Sequence, residues 1–437
     1  MSQALQTGLA RLFGVERDEV GAVGAGFAMF FLLFAGYFML RPVRETMGIV
    51  GGVKDLQWLF TGTFLATLAA MPLFGWIAGR VQRRRILSWV YGFFTLNLVA
   101  FGAAFLFDPD DVWVARTFYI WLSTFSLIAI SVAWSVLVDV FSTSQAKRLF
   151  ALMATGASLG GLTGPLLGVF LVGRVGHAGL MFLSAALLVS SALAAHGVQR
   201  WRERHALAAD DATQRQRPLG GSPFAGATEV LKSPYLLGIA VFMLLLASVS
   251  TFLYFEQARM VDAAFPNRTD QTRVFGSIDT IVQTLSILSQ LLITGRIARK
   301  LGLGVLLVGV PLIAATGFLW LAFAPTFAVL AVVMVVRRAG EYALVRPGRE
   351  MLYTVVEPEA KYKAKNFNDT VVYRGADAVS GWVKAGIDMI AQQPTIAMLL
   401  GAAIALVLGL SGGALARAQR RIEAATPSAS RSPMTSK

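Results

Sequence analysis

"GAVGAGFAMFFLLFAGYFMLRPVRETM" (Gly21–Met47) runs twenty residues without a charge and then places two arginines and a glutamate within five positions. About 20 helical residues at ~1.5 Å rise cover the ~30 Å hydrocarbon core of a bilayer, so the apolar part reads as a membrane-spanning helix. The charged end poses the question of a partner, and it is repeated. "YFMLRPVRETM" (Tyr37–Met47) and "YALVRPGREML" (Tyr342–Leu352) share a Tyr followed by Arg-Pro-x-Arg-Glu, 305 residues apart.

Outward from this stretch the chain stays apolar: of 437 residues, 56% are hydrophobic and 15% charged, which places it among all-α polytopic membrane proteins. Six spans are read in the first half: Val20–Leu40, Leu56–Gly79, Ile86–Phe107, Val112–Val138, Leu149–Val172 and Ala178–Val198. Six more follow: Tyr235–Phe255, Val274–Thr294, Leu303–Phe323, Phe327–Val345, Val371–Ala391 and Thr395–Leu415, the tenth and eleventh interrupted by charge. The expected organisation is twelve transmembrane helices in two six-helix lobes. Residues 1–19 form a cytoplasmic segment, 20–199 the first lobe, 200–234 a hydrated cytoplasmic linker, 235–416 the second lobe and 417–437 a disordered basic tail.

The net charge of +14 reflects basic loops rather than a nucleic-acid surface. Arg80, Arg83, Arg84 and Arg85, Lys147 and Arg148, and Arg296, Arg299 and Lys300 mark loops of the cytoplasmic side, whereas "DPDD" (Asp108–Asp111) and "APT" (Ala324–Thr326) carry no basic residue. Both termini are therefore expected in the cytoplasm, with no removable signal peptide. The first-to-second loop breaks the rule with Arg41, Arg44 and Lys54, which marks the opening stretch as a functional candidate. There is no Cys and only three His, so thiolate chemistry is excluded and a zinc centre has few ligands to draw on. A phosphate-cradling GxxxxGK[ST] loop is missing, which argues against an ATP-driven pump. No enzyme activity, metal or cofactor is expected.

"FGWIAGRV" (Phe74–Val81) and "TGRIARKL" (Thr294–Leu301) repeat Gly, Ile-Ala and a basic cluster, consistent with two parallel halves. With its neighbours, "GWIAGRVQRRR" resembles the loop signature of the major facilitator superfamily, with Gly79 and Gln82 at positions where that family usually has Asp and Gly. "GASLGGLTGPLLG" (Gly156–Gly168) is similar to the fifth-helix motif of the superfamily's antiporters; small residues four apart also let any two membrane helices approach closely. Three stretches resemble a narrower family, the bacterial and plastid ATP/ADP (nucleotide) translocases: "YFMLRPVRET", "RRAGEYALVRPGREMLY" (Arg337–Tyr353) and "KAKNFNDTVVYRG" (Lys363–Gly375). Pro42 stands where those carriers have an acid, and Glu341 and Asp377 where they have basic residues. The resemblance implies a major-facilitator-like carrier of the bacterial inner membrane, working as a monomer by alternating access, with a nucleotide or other phosphorylated metabolite as its anionic substrate. Nucleic acid is not an expected partner.

Charges deep in a span are costly, and guanidiniums suit anions with several oxygens. Arg337 and Arg338 lie about eleven residues into the tenth span, roughly 16 Å from its start. Glu341 shares their face and would neutralise one of them when no substrate is bound. Substrate contact is expected for Tyr37, Arg41, Arg116, Arg337, Arg338, Glu341 and Tyr342, and the nucleotide-carrier resemblance adds Arg374. Helix packing by an Arg/Glu pair, or arginines snorkelling to an interface, are the alternatives. Arg44-Glu45 and Arg349-Glu350 read as gate pairs whose partners lie elsewhere, with Glu256 and Arg259 expected for the first and Lys147 and Arg148 for the second. Asp279 and Glu341 are the candidates for proton coupling. A proton-coupled carrier of another small molecule, and a non-transporting sensor or assembly factor on the same fold, remain the competing readings.

Overall fold

The computed structural model describes residues 15–205 and 226–425, apart from positions 17, 79, 81, 82 and 392. Those residues are helical nearly throughout, with no strand among them. The helices are α1 (Val20–Val50), α2 (Leu56–Ala78), α3 (Arg83–Phe107), α4 (Val112–Val140), α5 (Thr143–His205), α6 (Ala227–Lys232) and α7 (Pro234–Ala264). They continue as α8 (Arg268–Ser289), α9 (Gly295–Phe323), α10 (Phe327–Gly340), α11 (Arg346–Leu352), α12 (Pro358–Phe367), α13 (Tyr373–Ala391) and α14 (Pro394–Ala425). Three π-helical turns, Gln290–Thr294, Glu341–Val345 and Asn368–Val372, are inserted between neighbouring helices of the second half.

Among the described residues, nine helices are long and apolar enough to cross a bilayer. One of them, Ser144–His205, is 62 residues long, about three times the ~20 residues that cross the hydrocarbon core, and turns at Gly176. Gly176 takes φ +67°, and Gly302 takes φ +74° where α9 turns in the same way. These left-handed conformations cost little only at glycine, so one residue each replaces a loop. They fall between the expected fifth and sixth, and eighth and ninth, spans. Elsewhere local caps start the helices: Asp111 accepts from the amides of Trp113 and Val114, and Thr326 from that of Val329.

Packing divides the described chain into two compact units. The first holds the residues before 223 together with Glu256–Thr284; the second holds 223–255 and the residues from Leu285 onward. In the first unit α1 lies against α5 along a glycine ladder. A Cβ built on Gly156, Gly160 or Gly164 would strike the backbone oxygen of Phe27, Phe31 or Ala35, at 2.6 Å in the last case. Four-residue spacing on both helices lets backbones touch, which gives van der Waals contact where lipid offers no hydrophobic drive. At one end of this pair the carboxylate of Glu19, 1% exposed, accepts from Gln145 and Arg148 at 2.9 and 2.8 Å. An aromatic cluster fills α3–α4, with Trp121 stacked on Phe125 at 5.2 Å and Phe94 edge-on to Phe125 at 4.7 Å.

Several expected boundaries change. The charged interruption of the tenth span does not end it: α10, the π turn and α11 run on through Leu352. The eleventh begins thirteen residues early, at Pro358, because the polar segment before Val371 is itself helical and pairs its charges, Lys363 with Glu359 at 2.6 Å. The first residues of the expected linker finish α5, where the Trp201 indole donates to the Asp18 carbonyl at 2.7 Å; the rest up to 225 lies outside the described residues. The expected tail starts as helix, since α14 continues to Ala425, and 426–437 lies outside the description. So do Gly79 and Gln82 of the loop signature.

Candidate functional site

In the second unit, the Thr326 cap sets the register of α10, and eleven residues on Arg337 points into the bundle, 5% exposed. Its Nη1 donates to Glu341 Oε2 at 2.9 Å and to Ser250 Oγ at 3.0 Å. Arg338 and Glu341 are also buried. At Glu341 the helix widens into the π turn Glu341–Val345, a form that often marks functional sites. Two carbonyls of that turn are taken by the neighbouring π segment: Gln290 Nε2 donates to Tyr342 O at 3.2 Å and Thr294 Oγ1 to Ala343 O at 2.9 Å. Buried backbone groups need such partners in lipid.

α7 supplies a turn of hydroxyls that serves both sides. Ser250 binds Arg337, Thr251 Oγ1 donates to Asp377 Oδ1 at 3.0 Å, and Ser248 and Ser380 share a 2.8 Å bond. On α13, Asp377 lies 3.6 Å from Arg374, so the anion contact expected of Arg374 has a local carboxylate beside it. One face further along, Lys384, 2% exposed, reaches both oxygens of Asp388 at 2.6 Å.

The second copy of the repeat follows. Arg346 lies over the Tyr342 ring, Cζ 4.2 Å from its centroid, and is exposed. Arg349 meets Asp369 at 3.3 Å and the Met243 sulfur at 3.1 Å, while Glu350 takes Lys365 at 2.6 Å. Both partners differ from expectation: Arg349 and Glu350 are answered within their own unit, and Arg148, an expected partner, is bound to Glu16 and Glu19. Burial pushes the Tyr353 phenol up to about 12 although Asn368 donates to it at 2.9 Å.

In the first unit, Arg41 Nε stands 3.6 Å from Asp279 Oδ2. The two come together because α8 passes close to α1 and α5: a Cβ on Gly276 would meet the Pro165 carbonyl at 3.4 Å and Pro42 at 3.5 Å. One turn away the hydroxyls of Thr46 and Thr272 lie 2.7 Å apart, with His177 Nε2 2.9 Å from Thr272. Tyr37 packs edge-on to Phe38 at 5.1 Å and faces Phe125 at 6.5 Å, inside the aromatic cluster.

Arg44 and Glu45, expected to avoid each other as chain neighbours, are paired, and Arg44 also donates to Ser123 Oγ at 3.2 Å and lies over the Tyr119 ring at 5.1 Å. The reason is reach: a guanidinium on a long stem folds back along the helix where Cβ directions alone forbid contact. Glu256 and Arg259 likewise pair with each other. Arg116 stands apart from the rest, its Nε on the Gly51 carbonyl at 2.7 Å and its Nη2 on Asp55. That geometry ties α4 to the connection between α1 and α2, so Arg116 is not carried into the candidate site.

Ser248, Ser250, Thr251 and Arg346 escaped the sequence reading. The run "ASVST" (Ala247–Thr251) inside an apolar helix, and the match of Arg346 to Arg41 in the repeat, were the signals available.

Charges and hydroxyls paired inside helices of bilayer length are costly in lipid and mark positions of function. The pattern of the Major Facilitator Superfamily matches residues 26–347, and the chain belongs to that family of membrane-spanning transporters. It is similar to ADP,ATP carrier protein 1 of Chlamydia trachomatis, 25% identical with 90% of this chain and 88% of the carrier covered. The protein of the same name from Chlamydia muridarum is 22% identical over the same shares. Among solved structures, an auto-inhibited POT family peptide transporter superposes with TM-score 0.63 at 15% identity, covering 91% of this chain and 96% of that one. A bacterial homologue of the iron transporter ferroportin in an inward-facing state gives 0.62 at 13% identity, covering 92% and 98%. These likenesses bear on the fold.

Proposed function

We propose that this chain is a secondary carrier with twelve spans in two lobes that exchanges an organic anion, a nucleotide or another phosphorylated metabolite, by alternating access. It lies in a bacterial inner membrane with both termini in the cytoplasm. The observation that carries the reading is the buried Arg337–Glu341 pair with Arg338 buried beside it: two guanidiniums and a carboxylate lie on neighbouring turns inside a span, where charge is costly. An anion with several oxygens suits guanidinium donors and competes with Glu341 for Arg337. The named likeness to ADP,ATP carriers points to the same class of cargo. Asp279 against Arg41 is the corresponding pair on the first unit, a carboxylate that an incoming anion has to replace. Arg44-Glu45 and Arg349-Glu350, with Asp369 and Lys365, act as the gate charges.

Purified protein in liposomes loaded with ADP should take up labelled ATP or a labelled sugar phosphate, and the uptake should require a counter-anion inside. Carriage of neutral or cationic compounds with no anion moved would refute the reading. A pH-gradient requirement that disappears in Asp279→Asn would replace it with proton coupling.

A further inference from the structure

Four arginines occupy the matched positions of the repeat: Arg41 and Arg44, Arg346 and Arg349. Three have a carboxylate at hand, Arg41 with Asp279, Arg44 with Glu45 and Arg349 with Asp369. Arg346 has no carboxylate within ion-pair distance among the described residues, and its charge rests on the ring of Tyr342. A ring contact engages the guanidinium through the π-face and leaves its N–H donors unspent, whereas a carboxylate consumes them. The ring also fixes the long side chain, so less rotamer freedom is lost when a ligand docks.

The backbone favours this pose. The π turn Glu341–Val345 is pinned through its Tyr342 and Ala343 carbonyls by Gln290 and Thr294, so the residue that carries the ring is held by a second helix. Arg346 then opens α11 four residues beyond Tyr342, on the same side of the helix as its ring, and two turns beyond Arg338. The nearby carboxylate of Asp369 is committed to Arg349 at 3.3 Å.

The geometry points to Arg346, carried on the ring of Tyr342, as a phosphate-binding residue of the carrier's anion site. This rests on the anion-exchange reading and assigns within it the residue that meets the phosphate group. A phosphate oxyanion is the chemistry recognised. It could come from soluble substrate or from a lipid headgroup, and substrate is the source assigned here, because the residue continues the strip from Arg338 through Tyr342.

The test is thermal unfolding of the detergent-purified chain with ATP, with pyrophosphate, and with added phosphatidylglycerol, for the wild type, Arg346→Gln, Arg346→Lys and Tyr342→Leu. The wild type should be stabilised by ATP and pyrophosphate. Arg346→Gln should weaken both about tenfold or more, the loss of hydrogen bonds to a charged group, with its unliganded melting point unchanged because the side chain is exposed. Arg346→Lys should recover only part of the affinity, since an ammonium lacks the planar fork. Tyr342→Leu should weaken binding less than Arg346→Gln. Equal ATP stabilisation in wild type and Arg346→Gln would overturn the assignment and leave anion exchange standing. Stabilisation by phosphatidylglycerol that depends on Arg346, beside ATP stabilisation that does not, would move the residue to the lipid. A wild type that responds to no soluble anion would remove the exchange reading itself.

Discussion

The stretches Tyr37–Glu45 and Tyr342–Glu350 share five residues in the same order and end in different surroundings. The first lies inside the uninterrupted α1, pressed onto α5 by the glycine ladder, with Pro42 in the helix interior. The second begins in a π turn held by side chains of another helix, and Pro347 follows directly in the first turn of α11. Arg41 is met by Asp279, Arg346 by an aromatic ring. A repeat therefore carries over residue types and their spacing on one face, while the neighbouring helix decides which of the charges is neutralised.

The strongest way to break the comparison is at the buried pair that precedes the second copy. Arg337→Met leaves Glu341 buried without its cation and should cost about 3–5 kcal/mol in thermal unfolding, with transport lost. The double variant with Glu341→Met should regain most of that stability and none of the transport. If the double variant transports, the pair is packing alone.

Glycine substitution sharpens the contrast between a backbone contact and a side-chain contact. Gly164→Ala places its methyl 2.6 Å from the Ala35 carbonyl and 2.9 Å from the Met39 amide, and should destabilise by about 1–3 kcal/mol. Gly348→Ala meets only Leu306 and Leu307 side chains, at 3.0 and 3.1 Å, and should be close to neutral because alanine also gains up to ~1 kcal/mol of helix propensity. Equal melting points for the two variants would contradict the ladder as a backbone seam.

Asp279→Asn makes the first copy like the second by removing the carboxylate facing Arg41. The stability change should be about 1–3 kcal/mol, since Asp279 is buried beside Arg41, and ATP binding should tighten a few-fold because the competing internal anion is gone. Weaker binding in this variant would show that Asp279 serves substrate directly. The smallest effect belongs to Pro347→Ala, within about 0.5 kcal/mol, against a measurable rise in stability for Pro42→Ala, whose proline removes an interior donor. The melting points of these two single variants compare the contexts of the same residue.

Much of this architecture was legible in the chain. Charge-free runs of bilayer length located the spans outside the charged tenth and eleventh, and the four-residue glycine spacing at Gly156–Gly168 announced a close helix seam that is indeed backbone on backbone. The Arg337–Glu341 pair followed from its four-residue spacing. Other features were not legible, for identifiable reasons. Pairing of Arg44 with Glu45 depends on side-chain reach, the early start of the eleventh span on polar residues that pair within their own helix, and the clamp of Arg116 on Asp55 and Gly51 on how a short connection folds back.

The sequence by itself determined an all-helical membrane chain, the places where charge interrupts apolar runs, and the duplicated arginine–proline–arginine–glutamate pattern. These depend on hydropathy, length and spacing within one segment. Only the tertiary structure decided that Asp279 faces Arg41 from 238 positions away, that Ser248, Ser250 and Thr251 serve α10 and α13 at once, and that Arg346 is left to an aromatic ring. A charge inside a bundle is answered by whichever face packs against it, and that choice is made between helices.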